Sequence, residues 1–298
     1  MCATRRSSPC ARTPEGIKDG EIAFFGGSFT AIDRDYMIEL LSSAQEFIGE
    51  NGFKGIRIST RPDAVDGEIC DILEKYHVTA VELGAQSTND KVLAMNRRGH
   101  TREDIFRSAR LLKERGFELG LQMMTGLYGS NDEDSIGTAR DIISLSPDTA
   151  RIYPTVVIEN TELAELYRNG EYRPQTPEEA AVLCAKILPM FERAGIKVIR
   201  LGLHSGGDVE GSFVAGAYHP ALREMCEGHI YFDIINRALS GKEKGKYIIY
   251  VAPREVSKAS GQRRCNIEKL RELGYECRIK ENAALSARDI TLEKVNLL

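Results

Sequence analysis

Short apolar runs recur along the chain: Ile22 to Phe25, Gly55 to Ser59, Ala80 to Leu83, Leu119 to Met124, Thr149 to Tyr153 and Lys197 to Leu201. Each has the length of a strand and is nearly continuous, the pattern of strands buried on both faces. Amphipathic helices with readable ends lie between them. After Asp33, the residues Tyr36, Leu40, Ala44 and Phe47 keep helical spacing. Thr101 to Asp104 reads as a capping box with Asp at its third helical position, and that helix stops at Gly116. Asn131 opens another helix. Thr176-Pro177-Glu178-Glu179 combines an N-cap, a proline at the first position and a glutamate at the third. Pro189, further along that helix, predicts a kink. Strands and helices alternating at this spacing predict right-handed βαβ units and a parallel sheet. The pattern then changes. His219 to Leu239 predicts a helix, Lys246 to Val251 a strand, Ser260 to Leu273 a helix and Tyr275 to Lys280 a strand, which together make a small α/β appendage.

The chain has 298 residues, 42% of them hydrophobic, enough for one large α/β barrel or two modest domains. A net charge of −4 gives no global basic field. Lys242, Lys244, Lys246, Lys258, Arg263 and Arg264 do concentrate in the tail, where a solvated face and an RNA contact are both open readings. No run approaches the roughly 18 apolar residues of a membrane span. Met1 to Thr13 lacks the apolar core of a secretory signal. Seven scattered cysteines predict reduced thiols and a cytoplasmic protein.

In parallel βα architectures, sites lie beyond the carboxyl ends of the strands. The residues there are Gly26-Gly27-Ser28, Ser59-Thr60-Arg61, Gln86-Ser87, Gln122 with Met124, Tyr153, and Arg200 with His204. Most are hydrogen-bonding groups with few acids, which suits a polar small molecule and not a paired-carboxylate or Ser-His-Asp mechanism. Gly26 and Gly27 let backbone groups approach a ligand and Ser28 adds a hydroxyl, although a tight strand-to-loop turn needs the same residues. No Gly-Lys-Ser/Thr follows, so the loop is not a phosphate P-loop.

The strings EIAFFGGSFTAID, STRPD, VELGAQS, NRRGHT, MMTGLYG, RIYPTVVIENTELAELYRNGEY and VAGAYHPALREM stand in this order between about residues 20 and 240. Together they resemble the radical S-adenosylmethionine (radical SAM) superfamily, in particular the elongator catalytic subunit and its short bacterial relatives. The resemblance implies an α/β fold: a partial parallel (β/α) barrel over residues 21–205, lacking its first βα unit, with a C-terminal α/β extension over 206–298. It implies two cofactors, S-adenosylmethionine and a 4Fe–4S cluster, which together produce a 5′-deoxyadenosyl radical. It also implies an electron donor such as flavodoxin or ferredoxin, an RNA substrate such as a tRNA uridine, and no membrane. Matched motif by motif, Gly26, Gly27 and Ser28 form the loop for the methionine amino group. Gln86 faces the cofactor, Arg98 pairs with its carboxylate, Gln122 and Met124 line the ribose and adenine, and Tyr153 points to the substrate.

The family's CxxxCxxC cluster loop has no counterpart here. Cys2 resembles its third cysteine, so residues 1–20 read as a remnant of the cluster-loop region, and Cys10 completes no ligand spacing. Tyr128 stands where relatives carry proline. Whether the chain is an enzyme is thus open at the level of sequence. A radical enzyme whose sequence has lost its beginning, a truncated fragment and a cluster-less, non-catalytic SAM- or RNA-binding paralogue all fit.

Overall fold

The computed structural model describes residues 20–50, 52–203 and 211–295. Cys2, Cys10 and His204 lie outside them. The chain divides into two compact units, residues 1–153 with 190–200, and residues 154–189 with 201–298.

The first unit is a half-barrel. Its strands and helices follow in order as β1 (Glu21–Phe24), α1 (Arg34–Gln45), β2 (Gly55–Thr60), α2 (Gly67–Lys75), β3 (Val78–Gln86), α3 (Asp90–Met95), α4 (Arg102–Glu114), β4 (Glu118–Thr125), α5 (Asp132–Ser144) and β5 (Thr149–Pro154). After β6 (Val156–Ile158), α6 (Glu162–Arg168) and α7 (Pro177–Arg193), the sheet is completed by β7 (Lys197–Leu201). The six strands are parallel, in the order β1-β2-β3-β4-β5-β7, and form a curled sheet of the partial-barrel type. All six predicted strands are present.

Local chemistry explains the helix starts. Thr101 and Asp104 form a reciprocal capping box, as do Asn131 and Asp134. Thr176 and Glu179 exchange the same pair of bonds at 3.2 and 2.8 Å. The helix from Pro177 runs on to Arg193 through Pro189.

One expectation needs correction. The strands are not apolar on both faces. Ile56, Ile58, Val81, Leu83, Leu119, Leu121, Ala150 and Ile152 are buried, but the alternate positions carry Arg57, Ser59, Glu82, Gln122, Arg151 and Tyr153. Side chains of opposite sign and matching hydrogen-bond capacity meet on that second face, so it carries a polar layer.

The second unit contains β6, which pairs antiparallel with β8 (Phe213–Gly216), then α8 (Leu222–Leu239), β9 (Gly245–Val251), α9 (Val256–Ser260), α10 (Cys265–Glu272), β10 (Tyr275–Glu281) and β11 (Ile290–Lys294). Its three-stranded sheet has the order β10-β9-β11, with β10 parallel and β11 antiparallel to β9. Tyr231, Ile235 and Leu239 of α8 join Ala259, Ile267 and Leu270 in covering Tyr247, Ile249, Val251, Tyr275 and Cys277. The helix predicted over Ser260 to Leu273 starts only at Cys265; Val256–Ser260 is a separate short helix, and Gly261 to Arg264 form the break between the two. Among the described residues, no helix is long and apolar enough to cross a membrane.

Candidate functional site

Two polar neighbourhoods lie on the half-barrel. The first is at the carboxyl rim of β1, β2 and β3. Gly26 and Gly27 take φ of +114° and +149°, and a Cβ added at either would meet nothing within 4 Å. Their backbone is open to a ligand, in a conformation that side-chain-bearing residues rarely adopt. Ser28 begins a short 3-10 turn over Phe29–Ala31. That turn is tied to the rim of β2: Thr30 Oγ1 lies 2.6 Å from Thr60 Oγ1 and donates to the Ala64 carbonyl at 2.5 Å.

Beyond β2, Arg61 grips Asp63 through two bonds, with Nε to Oδ1 at 2.9 Å. This pairing holds the Asp63 carboxyl below its ordinary pKa and Arg61 above its own. Arg98 follows α3 in a turn bracketed by left-handed residues, Arg97 (φ +49°) and Gly99 (φ +76°). A Cβ at Gly99 would stand 3.4 Å from the Arg61 guanidinium. Arg98 Nε is buried with no hydrogen-bond partner. Burial, and then the like charge of Arg61, push the Arg98 pKa down. His100 is buried, with Nε2 3.1 Å from the Ala85 carbonyl and Nδ1 unpartnered. A carbonyl only accepts, so Nε2 carries the proton. Arg61 is already paired with Asp63, so the orphaned donor of Arg98 is the unmatched group, and an anionic ligand would supply its missing hydrogen bond.

Gln86 ends β3 at the same rim. It is 8% exposed with φ +62°, where the ladder to β4 shifts register. A non-glycine residue held in this region costs on the order of 1–3 kcal/mol, and such strain gathers at functional positions. The following loop is anchored to α5: the Thr88 amide donates to Thr138 Oγ1 at 3.1 Å and Asn89 Nδ2 to Asp134 Oδ1 at 2.7 Å.

The second neighbourhood is the polar face of the strands, centred on Glu82, which is 1% exposed. Glu82 accepts from Arg151 at 2.6 Å and from Gln122 at 2.8 Å, and lies 3.7 Å from Arg57. Arg57 also binds Glu21 and Glu118, each at 2.7 Å. Burial opposes the charge on Arg57, but the bonds to Glu118 and Glu21 outweigh it, and the Arg57 pKa rises. Gly120 faces Glu82, and a Cβ there would approach Glu82 Cγ to 2.8 Å. Arg151 reaches Tyr153 Oη at 3.3 Å and lies over the Phe25 ring at 5.3 Å. Phe25, 54% exposed, directly precedes Gly26. The Gln122 amide is also within 3.4 Å of Ser59 Oγ.

Of the residues singled out from sequence, Gly26, Gly27, Ser28, Gln86 and Arg98 stand at the rim. Gln122 and Tyr153 join the Glu82 network, and Met124 is half-buried at the end of β4. Cys2 is outside the described residues. Glu82, Arg151, Asp63 and His100 were not singled out as site residues. For Glu82 and Arg151 the signal was a lone acid and a lone base inside apolar runs on neighbouring strands.

The described residues do not fit an iron–sulfur cluster. Such clusters take thiolates, whereas burial raises Cys70 and Cys277 to about 11 and Cys184 to about 12 and pushes Cys226 up as well. No group of three His, Cys, Asp or Glu among the described residues could hold a metal.

Comparison with known proteins agrees with this architecture. The Radical SAM superfamily profile matches residues 12–142 and the Radical SAM C-terminal domain profile residues 147–231. The chain belongs to the radical SAM superfamily. This radical SAM chain is 32% identical to the tRNA uridine(34) acetyltransferase of Methanocaldococcus jannaschii over 196 residues, covering 58% of this chain and 36% of that protein. It is also 32% identical to human Elongator complex protein 3 over 197 residues, covering 57% and 35%. The archaeal Methanocaldococcus infernus Elp3 with an N-terminal deletion (1–46) matches with a TM-score of 0.60 and 25% identity, over 73% of this chain and 59% of that one. The chain thus spans about a third of the length of these two curated relatives.

Proposed function

We propose that the half-barrel binds S-adenosylmethionine at the carboxyl rim and that the protein acts on RNA, with a tRNA uridine as the substrate class. The observation that carries the first part is the buried, unpartnered Arg98 Nε near Arg61 at the rim, on the same strand ends as the open Gly26-Gly27 backbone that follows β1. Arg98 is the partner for the methionine carboxylate, and Gly26, Gly27 and Ser28 hold the methionine amino group. Gln86 faces the cofactor from its strained strand end, and Met124 lines the adenosine. Gln122 acts as a prop: through Glu82 it fixes Arg151, which in turn positions Tyr153 and the Phe25 side of the glycine loop. Tyr153 presents its hydroxyl toward the substrate. S-adenosylmethionine supplies an activated sulfonium, the source of the 5′-deoxyadenosyl group in this superfamily. The RNA assignment is supported by the relatives, two of which are named for tRNA uridine(34) or the Elongator complex.

A second reading is favoured by the cysteines: a protein that binds S-adenosylmethionine and RNA without radical chemistry. Four of the five described thiols, Cys70, Cys184, Cys226 and Cys277, are buried, and burial pushes their pKa values up, away from the thiolate form that a cluster takes. Two measurements separate the readings. In calorimetric titration the wild-type chain binds S-adenosylmethionine and Arg98→Ala weakens binding at least tenfold; equal affinity in the two removes the site. In anaerobic reconstitution, uptake of four irons per chain supports the radical enzyme, and no uptake supports the second reading.

A further inference from the structure

We propose that residues 245–295 form a KH-type clamp for single-stranded RNA, centred on the loop Gly261-Gln262-Arg263-Arg264. The order β9–α9–loop–α10–β10 is that of a KH module, in which a Gly-x-x-Gly loop between two helices clamps the backbone of four nucleotides and leaves their bases splayed for contact. Here β9 and β10 are parallel neighbours in continuous register from Gly245 and Tyr275 to Val251 and Glu281. Helices α9 and α10 bury Ala259, Ile267 and Leu270 against them.

The loop is built on a rigid base. Gly261 is buried with φ +73°, and a Cβ there would lie 2.7 Å from Cys265 Sγ and 2.8 Å from Asn266 Cγ, so the position requires glycine. Asn266 is itself buried, and its Nδ2 donates to the carbonyls of Gly228 (2.8 Å) and Ala259 (3.0 Å). The loop is thereby fixed to both α8 and α9. On this base Gln262, Arg263 and Arg264 are exposed. Arg264 stands where a KH loop has its second glycine, yet it holds the left-handed conformation, φ +66°, that glycine would favour; Arg263 is at +52°. The turn is kept and two cations are added at its tip.

The other wall of the groove is β10. Among the described residues it has a strand neighbour on one side only, β9. It carries half-buried Ile279, and α9 adds half-buried Val256, two apolar positions against which a base can rest, while exposed Arg278 and Lys280 alternate with Ile279 and lie on the other face of the sheet. Charge agrees. Between residues 245 and 295 there are eleven Lys and Arg against seven Asp and Glu, a local surplus of four in a chain whose net charge is −4. Phosphate neutralisation needs such a local field. The clamp rests on the geometry of this segment; only the choice of RNA over DNA rests on the tRNA reading above.

Fluorescence anisotropy of the full chain with a labelled eight-nucleotide single-stranded RNA tests the proposal. The expected result is binding that a duplex RNA of equal length does not match. It weakens at least tenfold in the pair Gln262→Asp, Arg263→Asp, both exposed positions, and aspartate tolerates the left-handed conformation at 263. The slope of log affinity against log salt should flatten by about 0.7 for each phosphate no longer neutralised. The milder pair Arg263→Ala, Arg264→Ala should reduce affinity in the same direction. Lys242→Glu, a charge reversal on an exposed side chain outside the loop, should stay within twofold of wild type. Unchanged affinity in both loop pairs, or an equal weakening in Lys242→Glu, overturns the clamp. A single-stranded DNA bound as tightly as RNA overturns the RNA assignment. Titration with S-adenosylmethionine, which does not involve this segment, separates failure here from failure of the rim site.

Discussion

At the scale of single residues, Glu82 is the hinge of the half-barrel's electrostatics. It is buried, and it compensates Arg151 and Arg57 while holding Gln122. Removing one partner of a buried pair leaves an uncompensated charge, so Glu82→Ala should cost about 3–5 kcal/mol. Chemical denaturation reads this directly, and a loss below about 1 kcal/mol would show the network to be loosely solvated. Asp63 makes a separate statement about pH. Its folded pKa is depressed, first by the hydrogen bond from Arg61. The stability it contributes is therefore complete above the ordinary value of 3.8 and is lost as pH falls below that, through the lower folded value. In Arg61→Met, NMR titration should find the Asp63 midpoint raised toward 3.8; an unmoved midpoint would mean that Arg61 is not its principal partner.

At the scale of elements, most helix starts were legible because their signals are local. Thr101, Asn131 and Thr176 cap helices through bonds that span three residues, and each was readable as an N-cap. Asn131→Ala should lower stability by about 1 kcal/mol, checked by thermal unfolding; no change would mean that the Asn131 cap does not stabilise the start of the helix. The polar face of the strands was hidden by the same sequence that revealed the strands. Arg57, Glu82, Gln122 and Arg151 occupy alternate positions in short runs, and only the sheet brings them within hydrogen-bond distance of one another. The break between α9 and α10 was likewise not legible. Helical spacing runs across it, and Arg263 and Arg264 are ordinary helix formers held left-handed by tertiary contacts around Gly261 and Asn266. Arg98 was legible as a candidate from its motif, but its orphaned Nε and its nearness to Arg61 belong to the folded chain.

At the scale of the whole molecule, each unit presents its own polar feature. The half-barrel offers a cationic rim beside an open glycine loop, and the C-terminal segment offers a basic loop above a small sheet. The first carries the proposed S-adenosylmethionine site, while the second stands on its own topology. The rim is the centre of the functional account, and amide hydrogen exchange of the full chain with and without S-adenosylmethionine tests it most directly. The account predicts that the ligand protects amides at Gly26 to Ser28, Arg61 to Asp63 and Arg97 to Gly99, and that Arg98→Ala abolishes this protection. Protection confined to other segments, or none at saturating ligand, would contradict it.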